Sequence, residues 1–177
     1  MAIAATDIKR KLSVVAAAGN TTGGTPSTSL GDQISTTEWV DGGTLFDTIT
    51  GAENAAATVD YRCVFIHNAH ATLTLTSAVV YVSSQVAGGA DIAIAVDNIA
   101  ASAIGSASAQ AAVIATETTA PAGVGAFSAP STAGTGLALG DLLPGYCRAV
   151  WIRRTATNSA PIDADGFTLA VTGDTAA

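Results

Sequence analysis

His67 and His70 stand three residues apart in the stretch "HNAH", and Cys63 precedes them on the same run, "YRCVFIHNAH". Two imidazoles at this spacing on a tight turn can reach one metal ion. A catalytic zinc site needs a third protein ligand and an outer shell that orients the first three. Cys63 is the obvious third ligand, but strand alternation places it with Phe65 in an apolar layer. The same parity argument applies to Cys147 in "YCRAVWIRRT". A thiol buried among apolar side chains has a raised pKa and little nucleophilicity. Both cysteines therefore read as small core residues, and no Cys/His nucleophile pair is expected. "DADG" at Asp163–Gly166 has the opening of a calcium loop but lacks the closing bidentate Glu. It reads as an Asp-Gly turn. The glycine-rich "VDGG" and "AGGAD" match neither phosphate-loop nor dinucleotide spacing. The expectation is thus no catalytic residue, no cofactor, and no metal, with His67 and His70 as the weak metal candidates. The preferred reading makes Asn68–Ala71 a hairpin turn with both histidines partly exposed at the sandwich end.

The elements that hold these residues are strands. In "YRCVFIHN", Tyr61, Cys63 and Phe65 alternate with Arg62, Val64 and Ile66. Both faces are apolar, so the segment reads as a central strand covered on two sides. "TLTLT" carries Leu73 and Leu75 inward. The phase breaks at Ser77–Ala78, which predicts a bulge or a strand change. "DIAIAVD", "YCRAVWIRRT" and "FTLAV" alternate in the same way, and "AQAAVIAT" does so more weakly. "YRCVFI" and "YCRAVWI" resemble each other and are expected side by side. Between the runs lie clusters of Gly, Pro, Ser, Asn and Asp. This punctuation predicts an all-β single β-sandwich, immunoglobulin-like or jelly-roll, with an N-terminal arm and long loops.

The stretch "TDIKRKLSVVAAAGN", residues 6–20, fits a helix or a strand. The strand reading is preferred because the other segments are strands. Residues 1–31 form an expected arm or strand plus a Ser/Thr/Gly-rich loop, and residues 32–177 the sandwich domain. The long stretch Ala120–Gly136 is expected to be ordered, like the segment before Asp32, mainly by neighbouring subunits.

Of the 177 residues, hydrophobic types make up 49%, charged types only 12% and aromatics 5%. The apolar fraction is mostly Ala and Val. Such a surface suits a subunit covered by neighbours. The net charge is −7, and no Lys or Arg falls between Cys63 and Cys147. A nucleic-acid binder needs a basic track, so none is expected. "KRK" at Lys9–Lys11 reads as a solvated or subunit-contacting arm. Met1–Asn20 lacks a secretory pattern, and no run approaches the ~18–20 apolar residues that span a bilayer. The expectation is synthesis in the cytosol, no membrane, and two free thiols.

Four segments carry a resemblance: "SLGDQIS" at Ser29–Ser35, "LFDTITGAE" at Leu45–Glu53, "YRCVFIHN" at Tyr61–Asn68 and "TLTLTSAVVYV" at Thr72–Val82. Their order resembles that in small virion proteins of tailed bacteriophages. One departure is "ENAAATVDYR", where the family pattern has a Gly before the acid. The stretch "LALGDLLPGYCRAVWIRRTA" resembles the Pro-Gly turn and rising strand of immunoglobulin-like sandwiches. Together these segments cover about half the chain. The resemblance implies a non-enzymatic structural protein of the virion, such as a capsid decoration or cement protein. It would bind copies of itself and the major capsid protein. The alternatives are a tail, neck or baseplate component, a receptor-binding module, or a metal-dependent enzyme centred on His67 and His70.

Overall fold

The computed structural model describes residues 2–15, 21–41, 44–159 and 166–175. Ten strands run through them: β1 (Ile8–Val14), β2 (Gly31–Glu38), β3 (Val59–Asn68), β4 (Leu75–Gln85), β5 (Asp91–Val96), β6 (Ser102–Ala103), β7 (Ala111–Val113), β8 (Leu137–Leu142), β9 (Tyr146–Thr155) and β10 (Phe167–Thr175). One short helix, α1 (Gly51–Ala56), precedes β3. The large sheet has the order β5-β9-β3-β1-β2-β7, and β6 continues the β5 edge against β9. The small sheet has the order β10-β4-β8. Every pairing is antiparallel. The chain is an all-β sandwich.

The two similar runs pair as their sequences predict. β3 and β9 form the longest unbroken register, from Val59 opposite Thr155 to His67 opposite Cys147. Alternation sorts their side chains onto two faces, and both are buried. Val64, Ile66, Val150 and Ile152 meet Val80, Val82, Leu139 and Leu169 of the small sheet in the inter-sheet core. Cys63, Phe65, Cys147, Ala149 and Trp151 form a second core on the opposite face, with Ile34. Residues from the long connections cover that face, among them Ile114 and the partly buried Ile104 and Phe127. Each fully buried large side chain contributes about 1.5–3 kcal/mol, so covering both faces makes β3 and β9 the strongest part of the fold.

Two features of β4 follow from its sequence. Leu75 is buried, then Ala78, Val80 and Val82, so the inward phase slips at Ser77. Ser77 takes a positive φ of 51°, and the register against both β8 and β10 shifts there. This is the expected bulge. β3 and β4 do not form a hairpin, however. They lie in different sheets, and the chain between them crosses from one layer to the other.

The N-terminal segment is no arm. β1 lies between β2 and β3 in the large sheet, so a boundary after Gly31 does not separate two units. The strand reading of this segment holds, because Leu12 is buried in the inter-sheet core. The expectation that Ala120–Gly136 depends on neighbours is also corrected. Ile94 exchanges backbone bonds with Ser128, at 2.7 and 3.0 Å, and Gly125 donates to Val96 at 2.9 Å. The loop thereby covers the β5 edge. It then reaches the other sheet, where the Val82 amide donates to the Pro130 carbonyl at 2.8 Å.

Candidate functional site

β3 carries the candidate residues to the end of the large sheet. Strand pairing continues through Asn68 because β1 runs alongside: Lys9 lies opposite His67 and Ile8 opposite Asn68. The turn therefore starts later than the sequence suggests. Asn68 is wholly buried and organises the crossing. Its side-chain amide donates to the carbonyls of Leu73 and Leu142, each at 2.8 Å. Its side-chain oxygen accepts from the His70 amide at 3.1 Å. His70 then caps the next turn. Its Nδ1 accepts from the amides of Thr72 at 3.1 Å and Leu73 at 3.0 Å. An Nδ1 that accepts two amides is committed to the backbone, and the ring proton resides on Nε2.

His67 contradicts the expectation of exposure. It is only 5% exposed and lies between Lys9 and Cys147 across the strands. Neither ring nitrogen has a hydrogen-bond partner among the described residues. Burial pulls its pKa down to about 4, Lys11 and Lys9 push in the same direction, and Glu38 opposes them. The two histidines thus serve different masters, one the core and one the turn.

The thiols follow the sequence reading. Both are free and buried. Burial raises Cys63 well above the usual thiol range, with the Asp97 carboxylate adding to it. Burial raises Cys147 to about 12, against a small opposing effect from Gln110, whose Nε2 lies 3.3 Å from the sulfur. At neutral pH both are protonated, and neither is a nucleophile. Among the described residues no group of three or more His, Cys, Asp or Glu side chains is placed to hold a metal. Asp163 and Asp165 of "DADG" lie outside the described residues.

The structure adds buried polar groups that no sequence motif marks. Asp97 is fully buried. Its carboxylate accepts from Trp151 Nε1 at 2.9 Å, the Ala112 amide at 2.8 Å and the Ile99 amide at 2.9 Å. Arg154 and Arg62 are buried as well, the first paired with Asp60 and Asp47, the second with Glu117. Alternation contained the signal: Arg62 and Arg154 share the inward parity of Val64 and Ile152, and Asp97 that of Ala93 and Ala95. A charge in an inward phase marks a buried ion pair or hydrogen-bond hub.

A groove of about 430 Å³ opens between the 125–128 loop and β8, with Asn98, Leu137 and Arg148 on its walls. Arg148 spends Nε and Nη2 on the Asp97 carbonyl, at 3.2 and 2.8 Å. The groove holds no paired acid and base and no activated nucleophile. These surfaces define a β-sandwich whose ionisable groups knit the interior together. No family model, no curated protein and no solved structure matches the chain.

The buried His67 makes stability pH-dependent. Its folded pKa of about 4 lies below the unfolded value of 6.5. The unfolded chain therefore binds the extra proton first as pH falls. The contribution is fully present above pH 6.5 and is lost progressively towards pH 4, by on the order of 3 kcal/mol. His67→Leu removes the titrating group and keeps an apolar side chain. The difference in urea stability between pH 7 and pH 4 should shrink by roughly that amount relative to wild type. Equal pH dependence in the two proteins would refute the assignment.

Proposed function

We propose that this chain is a structural virion protein of a tailed bacteriophage, a capsid decoration or cement protein. It acts by binding copies of itself and the major capsid protein, without catalysis or cofactor, after synthesis in the host cytoplasm. The observation that carries the reading, beside the resemblance in the sequence, is the outer face of the small sheet. Val79, Tyr81 and Ser83 of β4, Thr168, Ala170 and Thr172 of β10, and Ala138 of β8 point away from the core. None is charged. The three strands contain no Lys or Arg, and Asp141 and Asp174 are their only acids. Surfaces depleted in charge suit subunit contacts. Many copies engaging at once make modest contacts sufficient.

The basic residues support the same reading from the other side. Lys9 pairs with Glu38 at 3.5 Å and Arg10 with Asp41 at 3.2 Å. Arg62 and Arg154 are paired internally, and Arg153 stacks over Phe127 at 5.4 Å. Little cationic surface is left for phosphates.

Counting copies in purified particles by quantitative mass spectrometry tests the proposal. Hundreds of copies are expected. A dozen or fewer would assign the protein to the neck or tail, and none would overturn the virion reading. Ala170→Lys on the outer face should leave stability within about 0.5 kcal/mol, as for other surface changes, and lower the number of copies retained.

A further inference from the structure

Among the described residues β10 is an edge strand, paired only with β4. An edge presents a row of amides and carbonyls to any strand that approaches. Sandwiches often blunt such edges with lysines, but β10 has none. At Leu169 the large sheet does the blunting instead. The Leu169 amide donates to Asp41 Oδ1 at 3.1 Å. The Leu169 carbonyl accepts from Arg10 Nη2. Arg10 and Asp41 pair with each other at 3.2 Å. One ion pair thus fills the donor and the acceptor that a neighbouring strand would use. The pair sits at the rim, its side chains 22% and 25% exposed.

By the two-residue period, Val171 is the next residue whose amide and carbonyl face away from β4. Leu169 lies opposite Val82 and Val171 opposite Val80 without a shift between them. Among the described residues Val171 makes no hydrogen bond on that side. The edge closes again at Thr175, whose Oγ1 accepts from the Ile3 amide at 3.2 Å.

We infer that β10 is a latent pairing edge for β10 of a second copy, held closed by the Arg10–Asp41 strand mimic. The sequence of β10 suits a two-fold pair centred on Val171. Leu169 then meets Gly173, Ala170 meets Thr172, and Thr168 meets Asp174, so no like charges oppose. Two three-stranded sheets become one six-stranded sheet, and their uncharged outer faces become continuous. Such an interface is isologous and closes at the dimer. The inference names how copies meet and rests on the edge geometry, not on the particle.

The test compares wild type, Arg10→Met/Asp41→Ala, and the same double variant carrying Val171→Pro. A proline at an outward-facing edge position leaves the β4 ladder intact and removes the donor that the second copy needs. Sedimentation over a concentration series should show the double variant dimerising at least about tenfold more tightly than wild type, with the triple variant returned to the wild-type state. Hydrogen exchange should slow at the Val171 amide in the dimer. Wild type in 1 M salt provides an arm without substitutions at the guard, since a Debye length of about 3 Å screens the rim pair. Its dimer fraction should rise, and that of Val171→Pro should not. A double variant and a salt-treated wild type that both stay monomeric, or dimers indifferent to Val171→Pro, overturn the inference. Copy number in particles is unaffected by that outcome, so the two proposals fail separately.

Discussion

Arg154→Ala is expected to destabilise the protein by about 3–5 kcal/mol, the usual consequence of leaving a buried charge without its partner. Arg154 is 1% exposed and stands opposite Asp60 in the β3–β9 register. Its Nη2 lies 2.7 Å and its Nε 3.2 Å from Asp60 Oδ2. The same Nη2 reaches Asp47 Oδ1 at 2.9 Å, and Nη1 donates to the Asp47 carbonyl. The guanidinium also lies over the Phe46 ring, 4.8 Å from its centre. One side chain therefore ties β9 to β3 and to the segment that leads into α1. Truncation strands the Asp60 carboxylate, 3% exposed, in the interior. It also frees a carbonyl at Asp47 and opens a void beside Phe46. Desolvating two charges offsets most of what their attraction supplies, so removing both is far less harmful than removing one. Arg154→Met combined with Asp60→Leu should recover most of the loss. Urea unfolding of the single and double variants checks this, with the midpoint shifting at constant slope. A single variant within 1 kcal/mol of wild type would show that the pair is dispensable.

The contrast between the two histidines shows where sequence reading succeeds and where it stops. The burial of Cys63 and Cys147 and the bulge at Ser77 follow from alternation within one segment, the β3–β9 pairing follows from the likeness of two segments, and all are present. The position of His67 does not. Nothing inside "HNAH" says that β3 continues to Asn68. That depends on β1, whose Ile8 and Lys9 lie opposite Asn68 and His67. The hairpin reading failed for a related reason, since adjacent strands that belong to different sheets leave no mark in their own alternation. The loop at Ala120–Gly136 looked dependent on neighbours because its order comes from backbone bonds to β5 and β4, which side-chain composition does not record. Helix α1 did leave a local sign. Thr50 and Glu53 form a capping box, with the Thr50 hydroxyl accepting from the Glu53 amide at 3.2 Å and the Glu53 carboxylate accepting from the Thr50 amide at 2.7 Å. "TGAE" carries that signature in a segment whose other punctuation indicates turns.

Asp97→Ala should be comparably damaging, at about 3–5 kcal/mol, because three donors lose one acceptor at once. The residue directly follows β5, in the phase of Ala93 and Ala95, and this face looks onto the second core. There its carboxylate gathers the Trp151 indole from β9, the Ala112 amide from β7 and the Ile99 amide from the chain just beyond. Its own amide donates to the Ala149 carbonyl at 3.1 Å, which holds the backbone in place whatever the side chain. Alanine would leave Trp151 Nε1 unpaired beneath a side chain with no exposure to solvent. A buried donor without a partner costs about 1–3 kcal/mol, and the Ala112 and Ile99 amides add to that. Asparagine divides the effect by atom. Oδ2 serves Trp151 and Ala112 while Oδ1 serves Ile99, so an asparagine oriented with its oxygen at Oδ2 keeps two bonds and turns an amide towards the third donor. Asp97→Asn should therefore cost less than Asp97→Ala, about 1–3 kcal/mol, and the damage should fall on one side. Hydrogen exchange resolves it: the Ile99 amide should speed up in Asp97→Asn while the Trp151 indole and the Ala112 amide stay protected, and all three should speed up in Asp97→Ala. Uniform exchange in both variants would mean that the carboxylate is not the hub joining β5, β7 and β9.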